Sequence, residues 1–430
     1  MNRKIRRRRK RIRLLSIGLL IIACVFAASF AAGKIRNNGN ELGTDIIGTD
    51  TEPGKNTESH KPDEPKKPEI KENTTVNLKA TGDIMFHPSQ LDGAYNTATK
   101  TYDFRNSFKA VKELFLDADI AIGNFEGTTA GNSVYAYQGY PLFNAPDEVL
   151  DAIKEAGFDI LSTVNNHCLD TRKAGVIRTI EQINARGMDT VGTYVSKPET
   201  RVLMKDVKGI KIAFIAYTEM VNGLESTMTP DDLDSMVNII NEEKIFEDIA
   251  YAKNKNADII IASMHWGDEY SRVQAGRQEV MADKLLSAGV DIILGSHPHV
   301  IQPAQRLEYD GKTKYVIYSM GNFISNQRIE TLVPYGIGEE ISKYTEDGVI
   351  VDINIEKNGE TGEVTIKDVG YIPLWVYKGT TEDGNTEHVV YPIMEYIESS
   401  DINDKAKARM QRSLSDTAMQ MKVLQGSSAE

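Results

Sequence analysis

One pattern recurs five times along this chain of 430 residues: a short apolar run, rich in Ile and Val, ends in a polar stretch. Runs of this kind between helical patterns predict buried parallel strands. The polar stretches carry Asp83 and His87; Glu126; Asn166 and His167; His265; and His297 and His299. Ligands of open α/β sheets bind outside the carboxyl ends of the strands. The pattern therefore predicts that five strands bring these side chains to one edge of one sheet, an arrangement suited to metal ions and hydrolysis.

The cysteine content restricts the kind of metal site that the chain can form. The sequence has two cysteines, Cys24 and Cys168, and Cys24 lies inside an apolar segment near the N-terminus. The folded part can therefore contain no internal disulfide and no cysteine-based zinc site. Any metal must be held by histidine and oxygen ligands.

The N-terminus has the pattern of a membrane anchor. Residues 1–13 hold nine Lys or Arg and no acid, and we interpret them as a basic cytoplasmic segment. The apolar run that follows, roughly 19 residues, is long enough to span a bilayer, which predicts a transmembrane signal anchor over residues 14–33. Two alternatives stay open, namely cleavage after Ala31 or Ala32 and lipidation of Cys24. All three place the rest of the chain outside the membrane.

The charge of the chain is divided unevenly. The formal net charge is −12, and residues 1–36 carry eleven Lys or Arg and no acid, so the remainder carries −23. Such an acidic domain excludes non-specific binding of nucleic acid. It should also repel a polyanionic substrate, unless bound metal or a local basic patch offsets the field.

Composition divides the chain beyond the anchor into three parts. Residues 34–74 are polar, charged and Pro-bearing, which predicts a disordered linker. A folded domain follows over residues 75–380, with hairpins that turn at Lys208-Gly209 and Asn358-Gly359. Residues 381–430 are predicted to form a C-terminal helical segment and tail, with helix over 385–410.

The closing GSHPH stretch is the strongest individual motif. His297 and His299 flank Pro298, which fixes the backbone and prevents a helix. In an extended segment, side chains two residues apart point the same way, so both imidazoles are expected to reach one metal site. A pair of surface or capping histidines is the alternative.

Two further strand ends carry carboxylates. Asp83 is interpreted as a metal ligand, against the alternative of a helix N-cap. Glu126 is suited to bridging two cations through its two oxygens, against the alternative of a surface acid. His87 is interpreted as a metal ligand, with a wall of the crevice as the equally open alternative.

The segment VNNHCLD combines a ligand with an acid catalyst. Asn166 offers an amide oxygen to a hard cation, while Asn165 is interpreted as a substrate contact. His167 is placed to protonate a leaving group, and Asp170 to orient its imidazole. Cys168 is interpreted as a small buried residue, because no separate base is present to activate it.

His265, in MHWGDEY, is interpreted as another metal ligand. Trp266, Glu269 and Tyr270 are expected to line the substrate pocket, with ordinary packing as their alternative. Asn322, in SMGNF, is expected to contact substrate or to support a ligand. Together these residues predict a site for two divalent ions, Mn, Zn or Fe, that would serve phosphoester hydrolysis or amide and carboxylate chemistry.

Six ordered motifs over about residues 76–330 resemble those of the CapA/PgsA family of poly-γ-glutamate capsule synthesis proteins. They are TGDIMFH, GNFEG, NNHCLD, HWGDEY, GSHPHVIQ and YSMGNF. That family is itself similar to calcineurin-like metallophosphoesterases. The resemblance implies a four-layer α/β sandwich of two mixed sheets flanked by helices, after an N-terminal transmembrane helix, with a dinuclear metal site.

The wider superfamily's motifs correspond to individual residues of this chain. Asp83 matches the first aspartate, and Glu126 stands where a bridging aspartate is expected. Asn166 and His167 match an Asn-His pair, His265 matches an isolated histidine, and His297 and His299 match the closing Gly-x-His-x-His. The chain departs from the pattern at His87, which follows Asp83 by four residues instead of two, and at Glu126, which reaches further than aspartate.

The resemblance implies a membrane-anchored, extracytoplasmic protein of capsule or poly-γ-glutamate biosynthesis or export, with a metal-dependent, phosphoesterase-like hydrolase site. Its expected partners are an anionic polymer such as poly-γ-glutamate, a membrane-embedded synthase and the membrane itself, with no nucleic acid. Two other functions stay open: a non-catalytic factor that binds polymer during assembly or export, and a general envelope metallophosphoesterase.

Overall fold

The structure, a computed structural model, describes residues 71–381 and 383–422. The predicted basic segment, the anchor over residues 14–33 and most of the linker lie outside the described residues, while the first strand begins at Thr74. Among the helices of the described part, none combines the length and the apolar character needed to cross a bilayer.

The described residues form two large sheets and one short hairpin. In chain order the strands are β1 (Thr74–Ile84), β2 (Tyr95–Asn96), β3 (Thr101–Tyr102), β4 (Ile120–Phe125), β5 (Ile160–Ser162), β6 (Asp189–Val191), β7 (Leu203–Val207), β8 (Ile210–Thr218), β9 (Ile259–His265), β10 (Ile292–Ser296), β11 (Ala304–Tyr309), β12 (Lys312–Ile317), β13 (Asn322–Ile324), β14 (Asp347–Lys357), β15 (Val364–Thr380) and β16 (Thr386–Pro392).

Helices connect most of the parallel strands. In chain order they are α1 (Pro88–Ala94), α2 (Arg105–Phe108), α3 (Lys112–Leu116), α4 (Glu148–Glu155), α5 (Arg172–Ala185), α6 (Pro230–Met236), α7 (Glu242–Asn254), α8 (Gly276–Ala288), α9 (Ile329–Leu332), α10 (Glu339–Ser342), α11 (Ile393–Tyr396) and α12 (Asp404–Gln420).

Both large sheets are mixed. The first has eight strands in the order β16-β15-β14-β1-β4-β5-β6, with β13 also paired to β1, and β1, β4, β5 and β6 are parallel. The second has six strands in the order β11-β12-β10-β9-β8-β7, with β8, β9, β10 and β12 parallel. The two mixed sheets implied by the family resemblance are confirmed.

The five functional strand ends belong to two sheets, so the prediction of one edge of one sheet is wrong. β1, β4 and β5 lie in the first sheet, whereas β9 and β10 lie in the second. The apolar pattern of a strand records that the strand is buried, and it carries no information about which strand pairs with it. The site is therefore built where the carboxyl ends of two sheets meet.

Three of the four core clusters of the described residues hold this arrangement together. One contains side chains of both sheets, including Leu78 and Ile122 of the first and Phe214 and Ile261 of the second. The other two pack helices against the sheets, α3 and α4 on the first, and α7 and α8 on the second. Burial of each large apolar side chain contributes about 1.5–3 kcal/mol, so these clusters fix how the strand ends approach one another.

Gly295, near the end of β10, allows the backbone of residues 317–320 to pass close beside it. This segment leads the chain from the second sheet to β13 of the first. The Met320 N–H donates to the carbonyl of Gly295 at 3.0 Å, and β13 begins two residues later. A Cβ at Gly295 would lie 1.9 Å from the carbonyl oxygen of Tyr318 and 2.7 Å from that of Ile317. Since both neighbours are backbone atoms, a side chain has no room here.

We therefore expect Gly295→Ala to lower the free energy of unfolding by about 3 kcal/mol, the upper part of the usual range for overpacking. Gly276→Ala is the matched control, because a Cβ at Gly276 meets nothing within 4 Å, and it should change stability by less than about 0.5 kcal/mol. Urea unfolding measures both. A Gly295→Ala midpoint equal to that of the wild type would contradict this packing.

The C-terminal region differs from the predicted helix over 385–410. Residues Thr386–Pro392 form β16, which pairs antiparallel with β15 and places Val389 and Val390 opposite Tyr377 and Val376. These β-branched and aromatic pairs favour a strand, and their pairing with β15 overrides the local helical pattern. Helix follows only in α11 and α12. The two predicted hairpins are present as β7–β8 and β14–β15.

Candidate metal centre

Two overlapping groups of buried side chains occupy the junction of the sheets. Glu126, His297 and His299 form one, and Asp83, Glu126 and His265 form the other. Within each group, one potential ligand atom of every residue lies within 4.8 Å of the others. Glu126 belongs to both groups, which is the position that a bridging carboxylate would occupy.

Glu126 is buried without hydrogen-bond partners. Its side chain is almost fully enclosed, and neither carboxylate oxygen has a partner among the described residues. Its Oε1 lies 3.9 Å from Nε2 of His265 and 3.8 Å from Nε2 of His299. Burial, followed by the neighbouring Asp83, raises the pKa of Glu126 well above its usual value. An unpartnered buried carboxylate is costly, and a cation between these side chains would compensate it.

Asp83 and His299 are bound to each other on the β1 side. His299 Nδ1 lies 3.0 Å from Asp83 Oδ2 and 3.1 Å from Asn322 Oδ1. The amide of Asn322 also donates to the carbonyl of Thr345 at 2.9 Å. Asn322 is fully buried and holds the imidazole in place, as supporting groups of metal ligands do. Of the two roles expected for Asn322, these contacts favour support of a ligand over contact with substrate.

His265 is held between two asparagine side chains. Its Nε2 lies 2.9 Å from Asn166 Oδ1, and its Nδ1 lies 3.3 Å from Asn124 Nδ2. Asn124 also donates to Asp83 Oδ1 at 2.8 Å, while its own Oδ1 is buried and has no partner within the described chain. Asn124 was not among the predicted site residues, although it stands at the end of β4, two residues before Glu126. Its position at a strand end is the same signal that identified Glu126.

The His-Pro-His turn reaches the site by a strained backbone, not by the extended segment predicted. The φ angles are 97° at His297 and 57° at His299, and Tyr270, whose N–H donates to the carbonyl of Pro298, has a φ of 63°. Positive φ at non-glycine residues costs about 1–3 kcal/mol each and concentrates at functional sites. Both imidazoles nevertheless reach Glu126, as the spacing predicted.

His167 forms a hydrogen-bonded pair with Asp170 beside the metal-ligand groups. Its Nδ1 lies 2.8 Å from Asp170 Oδ2, which also accepts the Phe143 N–H at 2.6 Å. The Phe143 ring packs edge-on against the imidazole, with 4.7 Å between ring centroids. These contacts fix the ring, so Asp170 lies where an orienting carboxylate was predicted. The adjacent Cys168 is buried, and burial raises the pKa of its thiol to about 12, which makes it a poor nucleophile.

Two predicted substrate residues are placed elsewhere. The side-chain amide of Asn165 donates to the carbonyl of Phe125 at 2.8 Å, and its Oδ1 accepts the His167 N–H at 3.1 Å. Asn165 therefore connects two loops. Trp266 is 1% exposed, packs in the core of the second sheet and donates its indole N–H to the carbonyl of Tyr318. These contacts favour a structural role for both residues, which for Trp266 is the ordinary packing given as its alternative. Strand ends locate a residue, but they do not show which way its side chain turns.

Three other predicted residues lie at the margin of the metal-ligand groups. His87 belongs to neither group, and its Nδ1 accepts the Asn326 N–H at 3.3 Å, which favours the wall of the crevice over a metal ligand. Glu269 is exposed, and its charge acts on Glu126, His297 and His299. Tyr270 has its ring 6.1 Å from that of His299. Substrate contact by Glu269 and Tyr270 stays a prediction.

Asn222 joins the site from the loop after β8 and was not among the predicted site residues. Its Nδ2 lies 3.5 Å from His167 Nδ1, and its φ is 53°. A polar residue before a glycine in a loop is typical of any turn, so the sequence contains no signal that separates Asn222 from other loop residues.

The metal-free site holds protons that a cation must displace. Burial opposes the charged form of His299, but attraction to Glu126 and Asp83 outweighs burial and raises its pKa to about 10. Metals bind neutral imidazole and ionised carboxylate, so binding near neutral pH should release protons. We expect the apparent metal affinity to increase with pH, by up to about tenfold per unit for each proton released. Calorimetry in buffers of different ionisation enthalpy counts the protons released. A count of zero would contradict the expectation that metal binding displaces protons from the site.

The comparison with protein families decides the affiliation of the chain. The profile described as "Bacterial capsule synthesis protein PGA_cap" matches residues 77–327, more than half of the 430 residues. The chain belongs to this family. The resemblance drawn from the six motifs is thereby confirmed, and the matched range includes every residue of the two metal-ligand groups.

Two CapA proteins are similar to the chain at a moderate level. The chain is 29% identical over 320 residues to "Capsule biosynthesis protein CapA" of Bacillus anthracis, which covers 72% of this chain and 70% of that relative. It is 28% identical over 273 residues to "PGA biosynthesis protein CapA" of Bacillus subtilis (strain 168), which covers 61% of this chain and 64% of that relative. The chain thus spans about two thirds of the length of these relatives.

Solved structures give a weaker similarity. The calcineurin-like phosphoesterase YfkN from Bacillus subtilis aligns with 82% of this chain and 99% of its own, at 16% identity and a TM-score of 0.40. At that score the similarity carries no argument about activity. The chemistry of the site rests on the residues themselves.

Proposed function

We propose that this PGA_cap protein is a divalent-metal-dependent, hydrolase-like protein of poly-γ-glutamate capsule biogenesis, held outside the membrane by residues 14–33. The observation that carries the proposal is Glu126, a buried carboxylate with two unpartnered oxygens, shared by both metal-ligand groups. A structural core gains nothing from such a residue, whereas a dinuclear site requires one.

The residues present fit two hard or intermediate cations. Six side chains supply only imidazole, carboxylate and amide donors: Asp83, Glu126, Asn166, His265, His297 and His299. Such donors suit Mn, Zn or Fe. When bound, the ions would supply positive charge that stabilises the charge developing on substrate oxygens during hydrolysis.

His167 would act as the general acid. Its Nδ1 is held by Asp170 at 2.8 Å, so its Nε2 is the nitrogen that can transfer a proton to a leaving group. The contacts of Phe143 with both residues keep the imidazole in one orientation. The side chain of Asn222 lies beside Nδ1 of His167 and would limit rotation of the imidazole ring.

The family and the names of two relatives support the substrate class. Relatives are named for capsule and PGA biosynthesis, which supports an anionic polymer such as poly-γ-glutamate, or a precursor of it, as the substrate. A membrane-embedded synthase is the partner that such a role would require. A general envelope metallophosphoesterase would use the same residues without the polymer.

A non-catalytic assembly or export factor is the second candidate. The two CapA relatives are named for biosynthesis, which favours this candidate. It differs from the first in one respect: polymer handling would not require proton transfer by His167.

Complementation separates the two candidates. In a capsule-forming host that lacks its own PGA_cap protein, the wild type should restore surface polymer, whereas His167→Asn and His297→Ala should not. Polymer amount and chain length are measured, with immunoblots to verify equal protein levels. Full restoration by a His297→Ala variant shown to lack metal would overturn the hydrolase and favour the assembly factor.

A further inference from the structure

Lys378, on β15, is a partly buried cation that forms no direct ion pair with a described acid. Its Nζ donates to the neutral amide oxygen of Asn326 at 2.9 Å, and it forms no ion pair with any acid of the described residues. The nearby arginines differ, since Arg328 and Arg409 bind Glu330 at 3.0 and 2.6 Å. Lys378 thus has no direct ion pair, and the only acid that attracts it noticeably among the described residues is Glu330, which is already bound by the two arginines.

A row of contacts joins Lys378 to the catalytic side of the site. Asn326, which accepts from Lys378, donates its own N–H to His87 Nδ1 at 3.3 Å. The ring of His87 meets that of Phe143 at 5.1 Å, and Phe143 meets His167 at 4.7 Å. Lys378 therefore lies at the end of a row that begins at His167.

The two histidines beside Lys378, His87 and His388, carry no charge at neutral pH. Burial, followed by His299, lowers the pKa of His87 to about 3, and burial, followed by Lys378, lowers that of His388 to about 2. His388 Nε2 lies 3.0 Å from the same Asn326 oxygen. Arg328 is occupied by Glu330, so Lys378 supplies the unpaired positive charge.

The sequence beyond residue 36 carries a net charge of −23, which opposes the approach of a polyanion. A local cation near the metal-ligand groups would offset that field, and a partly desolvated ammonium gains a strong charge-assisted bond from a carboxylate. We propose that Lys378, with Asn326 and His87 as its walls, forms an anion subsite that binds a carboxylate of an acidic substrate chain. This inference rests on the proposed function and specifies which part of the substrate is recognised.

Binding of a γ-linked glutamyl pentapeptide to the full-length, metal-loaded protein tests the subsite. Calorimetry should show that Lys378→Met weakens binding by about tenfold or more, whereas Lys378→Arg, which keeps the charge, changes it by less than about threefold. The wild type should bind the same peptide with its carboxylates amidated about as weakly as Lys378→Met binds the acidic one. Equal affinity of Lys378→Met and the wild type for the acidic peptide would overturn the subsite.

Lys367→Met is the matched control, because Lys367 lies on the same strand, is exposed and is paired with Glu356 at 2.7 Å. It should bind the peptide as the wild type does. Metal content and the melting temperature are measured on every sample. If the wild type does not retain metal, the proposed function is contradicted. If the wild type retains metal but does not bind the acidic peptide, only the subsite is contradicted.

Discussion

Glu126→Gln is expected to abolish tight metal binding and, at the same time, to leave the metal-free protein as stable as the wild type or more stable. The carboxylate of Glu126 is buried without a partner and lies beside Asp83, so its charge destabilises the metal-free fold. The same negatively charged carboxylate would bind the two cations. Loss of function combined with a gain in stability is the signature of a residue retained for a ligand.

Thermal unfolding with and without Mn or Zn measures both effects. A ligand at a concentration 1,000-fold above its Kd stabilises the folded state by about 4 kcal/mol, and Glu126→Gln should lose nearly all of that increment. Glu279→Gln, an exposed change on α8, is the control for loss of one negative charge. An undiminished metal-induced increase in the variant would contradict the bridging position of Glu126.

His167→Asn is expected to retain both metal ions and to lose hydrolytic turnover by about 10²- to 10⁴-fold, the usual contribution of a positioned acid. The imidazole is held by Asp170 but belongs to neither metal-ligand group, so its removal should spare metal binding. Turnover is measured on poly-γ-glutamate by chain length and on a generic phosphodiester by product release. Asp170→Asn should give a smaller loss and a displaced pH profile, since it acts through the imidazole.

Cys168→Ala is the matched control for His167→Asn, because it alters the next residue of the same loop. The thiol is buried and its pKa is raised to about 12, so turnover should stay within about twofold of the wild type if the thiol has no catalytic part. Equal turnover by His167→Asn and the wild type would contradict the acid role. Absence of turnover by a metal-loaded wild type on both substrates would favour the assembly factor.

Most of the site was predictable from the sequence because its residues follow strands that local apolar runs identify. The apolar runs before Asp83, Glu126 and His265 predict parallel strands, and parallel strands present their carboxyl ends together. Each of these side chains reaches the junction of the sheets. The assignment of the strands to two sheets was not predictable in this way, because it depends on pairings between segments distant in the chain.

The direction in which individual side chains point was also not predictable from the sequence. Asn165 and Asn166 are adjacent, yet Asn165 braces a loop while Asn166 lies 2.9 Å from His265. Trp266 follows His265 and turns into the core, since neighbouring residues at a strand end point to opposite faces. Lys378 and Asn326 were not identified, because their meeting depends on the pairing of β15 within the first sheet.

Metal content after reconstitution tests the central claim most directly. The full-length protein is loaded with Mn, Zn or Fe, freed of excess ion and measured by elemental analysis beside His297→Ala. The dinuclear site predicts about two ions per chain in the wild type and a clear loss in the variant. A wild type that retains no stoichiometric metal, or a variant that retains both ions, would contradict it.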